Sequence, residues 1–183
     1  MFSIGLKIHT VLIAALITFS LVTAAPAMGN SNSGSATVVT PKCKKGKIWS
    51  KKRKKCVIIK KSSLVDDEDI YQTGRDLAIR GRYNDAIQVL SFAYDKSDPR
   101  ILNYLGYAHR KAGRVDVGIG YYKEALEVDP DYTLVREYMG EAFLQKGDLA
   151  SAKQQLDEIK NRCGIQCAEY AILADQISKF NSD

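Results

Sequence analysis

The sequence predicts an all-α fold, an α-solenoid of three helix pairs with a C-terminal capping helix, preceded by a small N-terminal β-hairpin. Three turn glycines recur at nearly constant spacing, since Gly81, Gly113 and Gly147 lie 32 and then 34 residues apart. Each is followed five residues later by a small residue and nine residues later by a large one. A period of this length is typical of helical hairpins that stack on one another.

The first element along the chain is a predicted targeting segment. One cation, Lys7, precedes an apolar run from Val11 to Ala25, and Ala25-Pro26-Ala27 supplies small residues at the spacing that signal peptidase accepts. Residues 1–27 are therefore predicted to be a secretory signal peptide, which makes the protein exported and periplasmic. The alternative is an uncleaved segment that anchors the chain in the inner membrane, although the run is short for a span of about 20 residues.

Two short segments follow the predicted signal peptide. Residues 28–41 are rich in Gly, Ser and Asn and are interpreted as a flexible linker. Residues 42–61 are predicted to form a basic hairpin, in which residues 47–49 and 56–59 are the strands and residues 50–55 the turn. A disulfide between Cys43 and Cys56 would stabilise this hairpin by about 3 kcal/mol.

Charge is segregated along the chain. The hairpin segment holds eleven Lys or Arg and no acid, whereas the chain from Ser62 onward has six more acidic than basic residues. Basic segments seek phosphates, acidic polymers or anionic surfaces. The candidate binding residues of the hairpin are Lys44, Lys45, Lys47, Trp49, Lys51, Lys52, Arg53, Lys54 and Lys55.

Residues 62–183 are predicted to form the repeat domain, with units at about 66–98, 99–132 and 133–164. Small residues before and after each turn glycine let the two helices of a unit approach closely, and Gly at the turn supplies the left-handed conformation that ends the first helix. Pro130 then stops the second pair. The small residues are Gly74 and Ala86, Gly106 and Gly118, and Gly140 and Ala152.

These residues resemble the tetratricopeptide repeat family over about residues 66–164. The second unit matches best, and the departures are His109 for the usual Tyr, Gly118 for the usual Ala, a first unit two residues short, and Gly164 where Pro is common. The layout also resembles small exported bacterial members of the family, which join a short cysteine hairpin to the repeats. The matching residues of the second unit are Leu102, Leu105, Gly106, Gly113, Gly118, Tyr122, Ala125, Leu126 and Pro130.

The last element is an amphipathic helix predicted over residues 166–180, which would cover the end of the array. Four cysteines lie beyond the signal peptide, and an even number in an oxidising compartment favours disulfides. Three connectivities are open, and proximity favours Cys43 with Cys56 and Cys163 with Cys167. The second pair would clamp the capping helix to the third unit.

The sequence offers little for catalysis, and the protein is predicted not to be an enzyme and to need no cofactor. Its one His after the signal peptide, His109, occupies a core position of the repeat, and no catalytic or phosphate-loop motif is found. The four thiols fall in two distant pairs, which disfavours zinc. The acidic run at residues 66–69 is interpreted as a helix start rather than a calcium loop.

The resemblance implies a concave groove for peptides, lined by the first helix of each pair. Asn103 would match one member of the clamp that holds a C-terminal carboxylate in some family members, but Glu137 and Glu141 stand where that clamp needs cations. The groove is therefore expected to be cationic in the middle and anionic in the third unit, and to bind a ligand with a basic portion. The candidate groove residues are Tyr71, Arg75, Asn103, Tyr107, Arg110, Lys111, Glu137 and Glu141.

Three kinds of partner fit the basic hairpin. They are anionic envelope components such as lipid headgroups or acidic polysaccharide, nucleic acid, which export disfavours, and the acidic repeats themselves, with Trp49 packed on them. The sequence thus predicts an envelope adaptor that binds a protein or peptide partner through its repeats and adds an electrostatic contact through its hairpin. The alternative is a protein that binds polysaccharide or peptidoglycan through the hairpin, with the repeats as spacer.

Overall fold

The computed structural model describes residue 41 and residues 43–44, 47–50, 52–58 and 65–180. The predicted signal peptide, residues 28–40 of the predicted linker, and Lys45 and Lys51 of the hairpin lie outside these ranges. Among the described residues, no helix combines the length and the apolar character needed to cross a membrane.

The predicted fold class is confirmed, because the described chain forms a two-stranded antiparallel hairpin followed by seven helices. Consecutive helices pack as antiparallel pairs, the first helices α1, α3 and α5 also contact one another in that order, and the capping helix α7 contacts α5. The elements are β1 (Lys47–Ser50), β2 (Lys55–Ile58), α1 (Asp67–Ile79), α2 (Tyr83–Leu90), α3 (Pro99–Lys111), α4 (Val115–Val128), α5 (Thr133–Gln145), α6 (Leu149–Cys163) and α7 (Ala168–Phe180).

Close approach within a pair depends on glycine, as the repeat pattern predicts. A Cβ atom added at Gly106 would lie 2.6 Å from Cε1 of Tyr122 and 3.0 Å from the carbonyl oxygen of Gly118. Gly118 in turn would place a Cβ atom 2.8 Å from the carbonyl oxygen of Gly106. Helices α3 and α4 therefore touch backbone to backbone, and Tyr122, which is fully buried, fills the space beside the contact.

The turns between paired helices use the glycines that define the period. Gly81, Gly113 and Gly147 have φ angles of 76°, 84° and 78°, which lie in the left-handed region that favours glycine. Backbone hydrogen bonds back to the preceding helix satisfy its last carbonyls, as at Arg114 N–H to His109 O at 3.0 Å. The three helix pairs thus share one turn chemistry.

The acidic run before α1 serves as a cap and a loop anchor. Asp66 accepts a hydrogen bond from the backbone N–H of Asp69, which caps the helix. Asp67 accepts the backbone N–H groups of Tyr94 and Asp95 at 2.7 and 2.8 Å, so it fixes the connection that leads from α2 to α3. The interpretation as a helix start is therefore confirmed.

The hairpin packs on the first helix pair through one face only. Ile48 and Val57 face each other across the two strands and join the apolar core that includes Val65 and Ile70. Trp49 pairs with Cys56 on the opposite face and is only partly buried. Docking on the repeats does occur, but the side chain that anchors it is Ile48 rather than Trp49, because residues on one strand alternate between the two faces.

Both predicted cysteine pairs are disulfides. Cys43 is bonded to Cys56, which ties the start of the hairpin to β2, and Cys163 is bonded to Cys167, which ties the end of α6 to the start of α7. Helix α7 then packs on both α5 and α6. In the third unit the atoms nearest to a Cβ at Gly140 belong to Leu173 of α7, at 2.5 Å, whereas the period would place Leu156 there.

Candidate functional site

The candidate site is the inner row, meaning helices α1, α3 and α5, which are the first helices of the three pairs. Tyrosine rings run along it from one helix to the next. Tyr71 of α1 meets Tyr104 of α3 at 5.8 Å between ring centroids, Tyr104 lies 6.1 Å from Tyr107, and Tyr107 lies 5.1 Å from Tyr138 of α5. Aromatic rings at such separations attract one another, so this ladder connects all three helices.

Arginines lie against the tyrosine ladder. Arg100 stands over the ring of Tyr71 at 4.7 Å, and the Nε of Arg75 donates a hydrogen bond to the hydroxyl of Tyr104 at 3.1 Å. Arg75 and Arg100 are only partly buried. A row of rings with cations beside them can hold an extended chain by ring contacts and by hydrogen bonds to its carbonyl groups.

The centre of the inner row is an ion pair. Arg110 of α3 donates from Nη2 to Oε2 of Glu141 of α5 at 2.5 Å, and its guanidinium lies 5.6 and 5.8 Å from the rings of Tyr107 and Tyr138. The other carboxylate oxygen of Glu141 accepts a hydrogen bond from the side-chain amide of Gln176 of α7. The two charges that the sequence places in separate cationic and anionic zones therefore neutralise each other.

Two neighbouring inner-row positions bury polar groups without partners. The side chain of Asn103 is fully buried, and neither its nitrogen nor its oxygen has a hydrogen-bond partner among the described residues. Glu137, one repeat further on, is 3% exposed, and within the same ranges its carboxyl makes no hydrogen bond or ion pair. Unpaired buried polar groups are costly, so both positions are places where a bound group could add stability.

Burial raises the pKa of Glu137 to about 8. The nearby carboxylates of Glu141 and of Glu169, at the start of α7, raise this pKa further, while Arg110 opposes the rise. Glu137 is consequently largely protonated and uncharged at neutral pH. The third unit presents less negative charge than its sequence indicates.

Helix α7 lies at one end of the inner row and closes a shallow cavity of about 580 Å³ against it. The mouth of this cavity is cationic and apolar, because Lys111, Lys179 and Phe180 are exposed there. Its lining residues come from α3, α5 and α7: Arg110, Lys111, Glu141, Leu144, Gln145, Gln176, Lys179 and Phe180.

The structure thus brings the eight predicted groove residues onto three adjacent helices but gives them different access. Asn103, Arg110 and Glu137 are buried, whereas Lys111 is exposed. The remaining four, Tyr71, Arg75, Tyr107 and Glu141, are partly buried.

Sequence reasoning missed several contributors to this site. Tyr104 and Tyr138 stand at equivalent positions, since 138 − 104 equals the 34-residue spacing of the turn glycines. That shared spacing would have identified them as a pair. Gln176 and Phe180 have no such signal, because α7 falls outside the repeat.

All six hairpin cations within the described ranges are exposed to solvent. Trp49 is partly buried on the outer face, and Ile58 beside it is 51% exposed. The exposed cations of the prediction are Lys44, Lys47, Lys52, Arg53, Lys54 and Lys55.

His109 and the cysteines show no arrangement for catalysis within the described ranges. The Nδ1 of His109 accepts a hydrogen bond from Nε of Arg114 at 2.9 Å, and its ring stacks on Tyr121. Burial lowers the pKa of His109, and Arg114 lowers it further. Cys163, Cys167 and Glu169 form a cluster with the spacing of a metal site, but both sulfur atoms are committed to the disulfide.

Comparison with solved structures gives the same architecture. The chain is similar to the type III secretion chaperone SycD of Yersinia enterocolitica in complex with a peptide of the translocator YopD, with a TM-score of 0.55 and 24% identity over 66% of this chain and 95% of that one. It is also similar to the first TPR domain of human RPAP3, with a TM-score of 0.57 and 17% identity over 63% of this chain and 92% of that one.

A third similar structure is the TPR2B domain of yeast Sti1 in a complex with pHsp70, with a TM-score of 0.54 and 17% identity over 63% of this chain and 93% of that one. No curated protein sequence matches the chain. The family profile described as Tetratricopeptide repeat matches residues 71–133 and, in a second register, residues 105–164. These matches span just over half of the 183 residues, and the chain belongs to the tetratricopeptide repeat family.

Proposed function

We propose that this protein is an exported adaptor of the bacterial cell envelope that binds a peptide or protein segment along its inner row. The observation that carries the proposal is the continuous tyrosine ladder, beside which lie the buried, unpaired amide of Asn103 and the buried carboxyl of Glu137. Aromatic side chains flanked by arginines are enriched at recognition surfaces. The similar structures of SycD, with a YopD peptide, and of Sti1, in a complex with pHsp70, support the same use here.

The chemistry of the inner row limits where the expected basic portion of a ligand could bind. Glu141 is the partly accessible carboxylate, and one of its oxygens is bound to Arg110. A ligand cation would therefore take the place of Gln176 at the other oxygen. The protein itself is proposed to carry out no reaction, since His109 is held by Arg114 and Tyr121.

Site-specific cross-linking in intact cells tests the adaptor function. A photoreactive residue at Lys111, exposed at the mouth of the cavity, should give a discrete adduct with a partner protein. The matched position is Lys123, which is equally exposed on α4, the second helix of its pair. Adducts of equal yield at both positions, or none at Lys111, would rule out binding along the inner row.

A second candidate function is binding of envelope polysaccharide or peptidoglycan through the hairpin, with the repeats as spacer. The exposed hairpin cations favour it. Retention of the purified protein on insoluble cell-wall material, lost when the hairpin cations are replaced, would support this function over the adaptor.

A further inference from the structure

The outer face of the hairpin carries a second interaction surface, which includes no residue of the inner row. We propose that this surface docks the protein onto anionic phospholipid headgroups of a membrane, because exposed, unpaired cations surround an outward-facing apolar strip on a hairpin that is fixed to α1.

The first observation is that the cations are free for an external partner. Lys52, Arg53, Lys54 and Lys55 follow one another around the turn between β1 and β2, and all four are exposed. The ion pairs found between two described residues all join side chains of residues 68–179, and none of them includes these four cations. Within the described ranges, these four cations therefore have no acidic partner.

The second observation is that the hairpin is held in place by its other face. Ile48 and Val57 lie in the core with Val65 and Ile70, and Ser50 is buried as well. The disulfide between Cys43 and Cys56 ties the segment before β1 to β2, one residue pair from the turn. The backbone that bears the cations is therefore held in place before binding. This reduces the conformational entropy lost when several cations bind one surface at the same time.

The third observation is an apolar strip beside the cations. The strand register places Trp49 opposite Cys56, and Lys47 opposite Ile58, all on the outer face. Ile58 is 51% exposed, although β-strand residues of this kind are normally buried. Tryptophan and cations at one surface are typical of the interface between bilayer and water, where the ring lies at headgroup depth and the cations meet phosphate.

The same strip favours lipid over the other anionic partners. A sugar-binding tryptophan needs an open ring face, but Trp49 is partly buried. Acidic polysaccharide and nucleic acid are hydrophilic along their charged backbones, so neither would cover Ile58. A bilayer surface supplies both anionic headgroups and an apolar layer just below them.

The experiment uses the single tryptophan of the chain, Trp49, as its probe. Protein recovered from cells, with its N-terminus determined by mass spectrometry, is titrated with vesicles of phosphatidylcholine alone and with vesicles containing about one third phosphatidylglycerol. We expect a blue shift of Trp49 emission with the anionic vesicles only, reversed by salt because surface electrostatics are screened. An apolar N-terminal segment would bind both vesicle types alike, so its contribution cancels when the two vesicle types are compared.

Two triple variants with the same change in net charge separate the hairpin from diffuse charge. Lys52→Gln, Arg53→Gln and Lys55→Gln together should weaken binding to the anionic vesicles by about 100-fold, since each cation near such a surface contributes about fivefold. The control replaces three exposed lysines of α4 and α6, Lys123, Lys153 and Lys160, and should change binding less than threefold by the same reasoning, as these lie away from the hairpin.

Several outcomes would overturn the proposal. They are an equal loss of binding in both triple variants, an equal blue shift of Trp49 emission with neutral vesicles, or vesicle binding that leaves the emission of Trp49 unchanged. Retention on an acidic polysaccharide without any binding to anionic vesicles would assign the hairpin to glycan instead. Each result is independent of cross-linking at Lys111, so failure here leaves the inner-row adaptor function standing.

Discussion

Arg110 and Glu141 form an ion pair that joins two neighbouring repeats at the centre of the inner row, with 2.5 Å between Nη2 and Oε2. Both side chains are largely removed from solvent, at 6% and 19% exposure. Arg110 also points Nε at the hydroxyl of Tyr122, 3.4 Å away, so it ties the row to the helix behind it. A buried charge of this kind depends on its partner, because removing one member of the pair leaves the other buried without compensation.

Replacing Glu141 by Ala should therefore lower the free energy of unfolding by about 3 kcal/mol, since Arg110 is left buried without a counter-charge. The matched control is Asp116→Ala, which removes the partner of Lys146 in an ion pair that is mostly exposed. That change should cost less than about 0.5 kcal/mol. Urea unfolding followed by circular dichroism compares the two, and similar losses would show that burial does not strengthen the central pair.

The raised pKa of Glu137 predicts that acid stabilises the folded chain at this position. A carboxyl whose pKa is about 8 when folded and near 4.5 when unfolded binds its proton more tightly in the folded state. Its contribution to stability is therefore greatest below pH 4.5 and falls as the pH rises towards 8. Glu137→Gln keeps the shape and removes the charge, so this variant should melt several degrees higher than the wild type at pH 8.

The melting temperatures of the variant and of the wild type are measured from pH 5 to pH 9. The quantity compared is the difference between them at each pH. This difference should grow with pH and level off above pH 8. Glu124→Gln, on the exposed surface of α4, is the control and should give a difference near zero throughout. A Glu137→Gln variant that is less stable than the wild type at pH 8 would mean that the carboxylate has a stabilising partner.

Replacement by Ala should lower the stability of the protein at one glycine of α4 and raise it at another. Gly118→Ala places a Cβ atom 2.8 Å from the carbonyl oxygen of Gly106, and a backbone atom cannot move aside without separating the two helices. We expect a loss of about 2 kcal/mol or more from this overpacking. Gly120→Ala meets nothing within 4 Å and should stabilise the helix by roughly 0.5–1 kcal/mol. Thermal unfolding of both variants checks the sign of each change.

The helix pairs could be predicted from the sequence because the residues that determine them are close in the chain and recur in every unit. Gly106 and Gly118 recur in equivalent form in the neighbouring units, and each recurrence reflects the same close approach. The turn glycines likewise report a backbone angle that other residues avoid. Such constraints depend on residue size and backbone conformation, which a single sequence displays directly.

The burial of the inner row could not be predicted in the same way. Glu137 is buried close to Glu169 of α7, and α7 packs on α5 from outside the repeat pattern. A period gives the helix face on which a side chain lies, but it does not tell which helix outside the repeat will cover that face. For the same reason, the period predicts Leu156 as the neighbour of Gly140, whereas the residue found there is Leu173 of α7.

The contact of Leu173 with Gly140 makes α7 part of the core rather than a loose cover. Leu173 is fully buried and packs with Ile159 of α6, whereas its neighbour Ile172 is 44% exposed. Leu173→Ala should cost about 3 kcal/mol, because the glycine opposite cannot fill the cavity. Ile172→Ala should change stability by less than about 0.5 kcal/mol, as a surface substitution on the same helix.

Hydrogen exchange resolved along the chain measures this effect where it arises. In Leu173→Ala the amides of α7 should lose protection first, followed by those of α5 around Gly140, while α1 and α2 keep theirs. Ile172→Ala should leave the pattern of the wild type. If α7 of the wild type already exchanges as fast as a frayed terminus, then Leu173 does not hold it on α5, and Glu137 would be open to solvent with an ordinary carboxyl pKa.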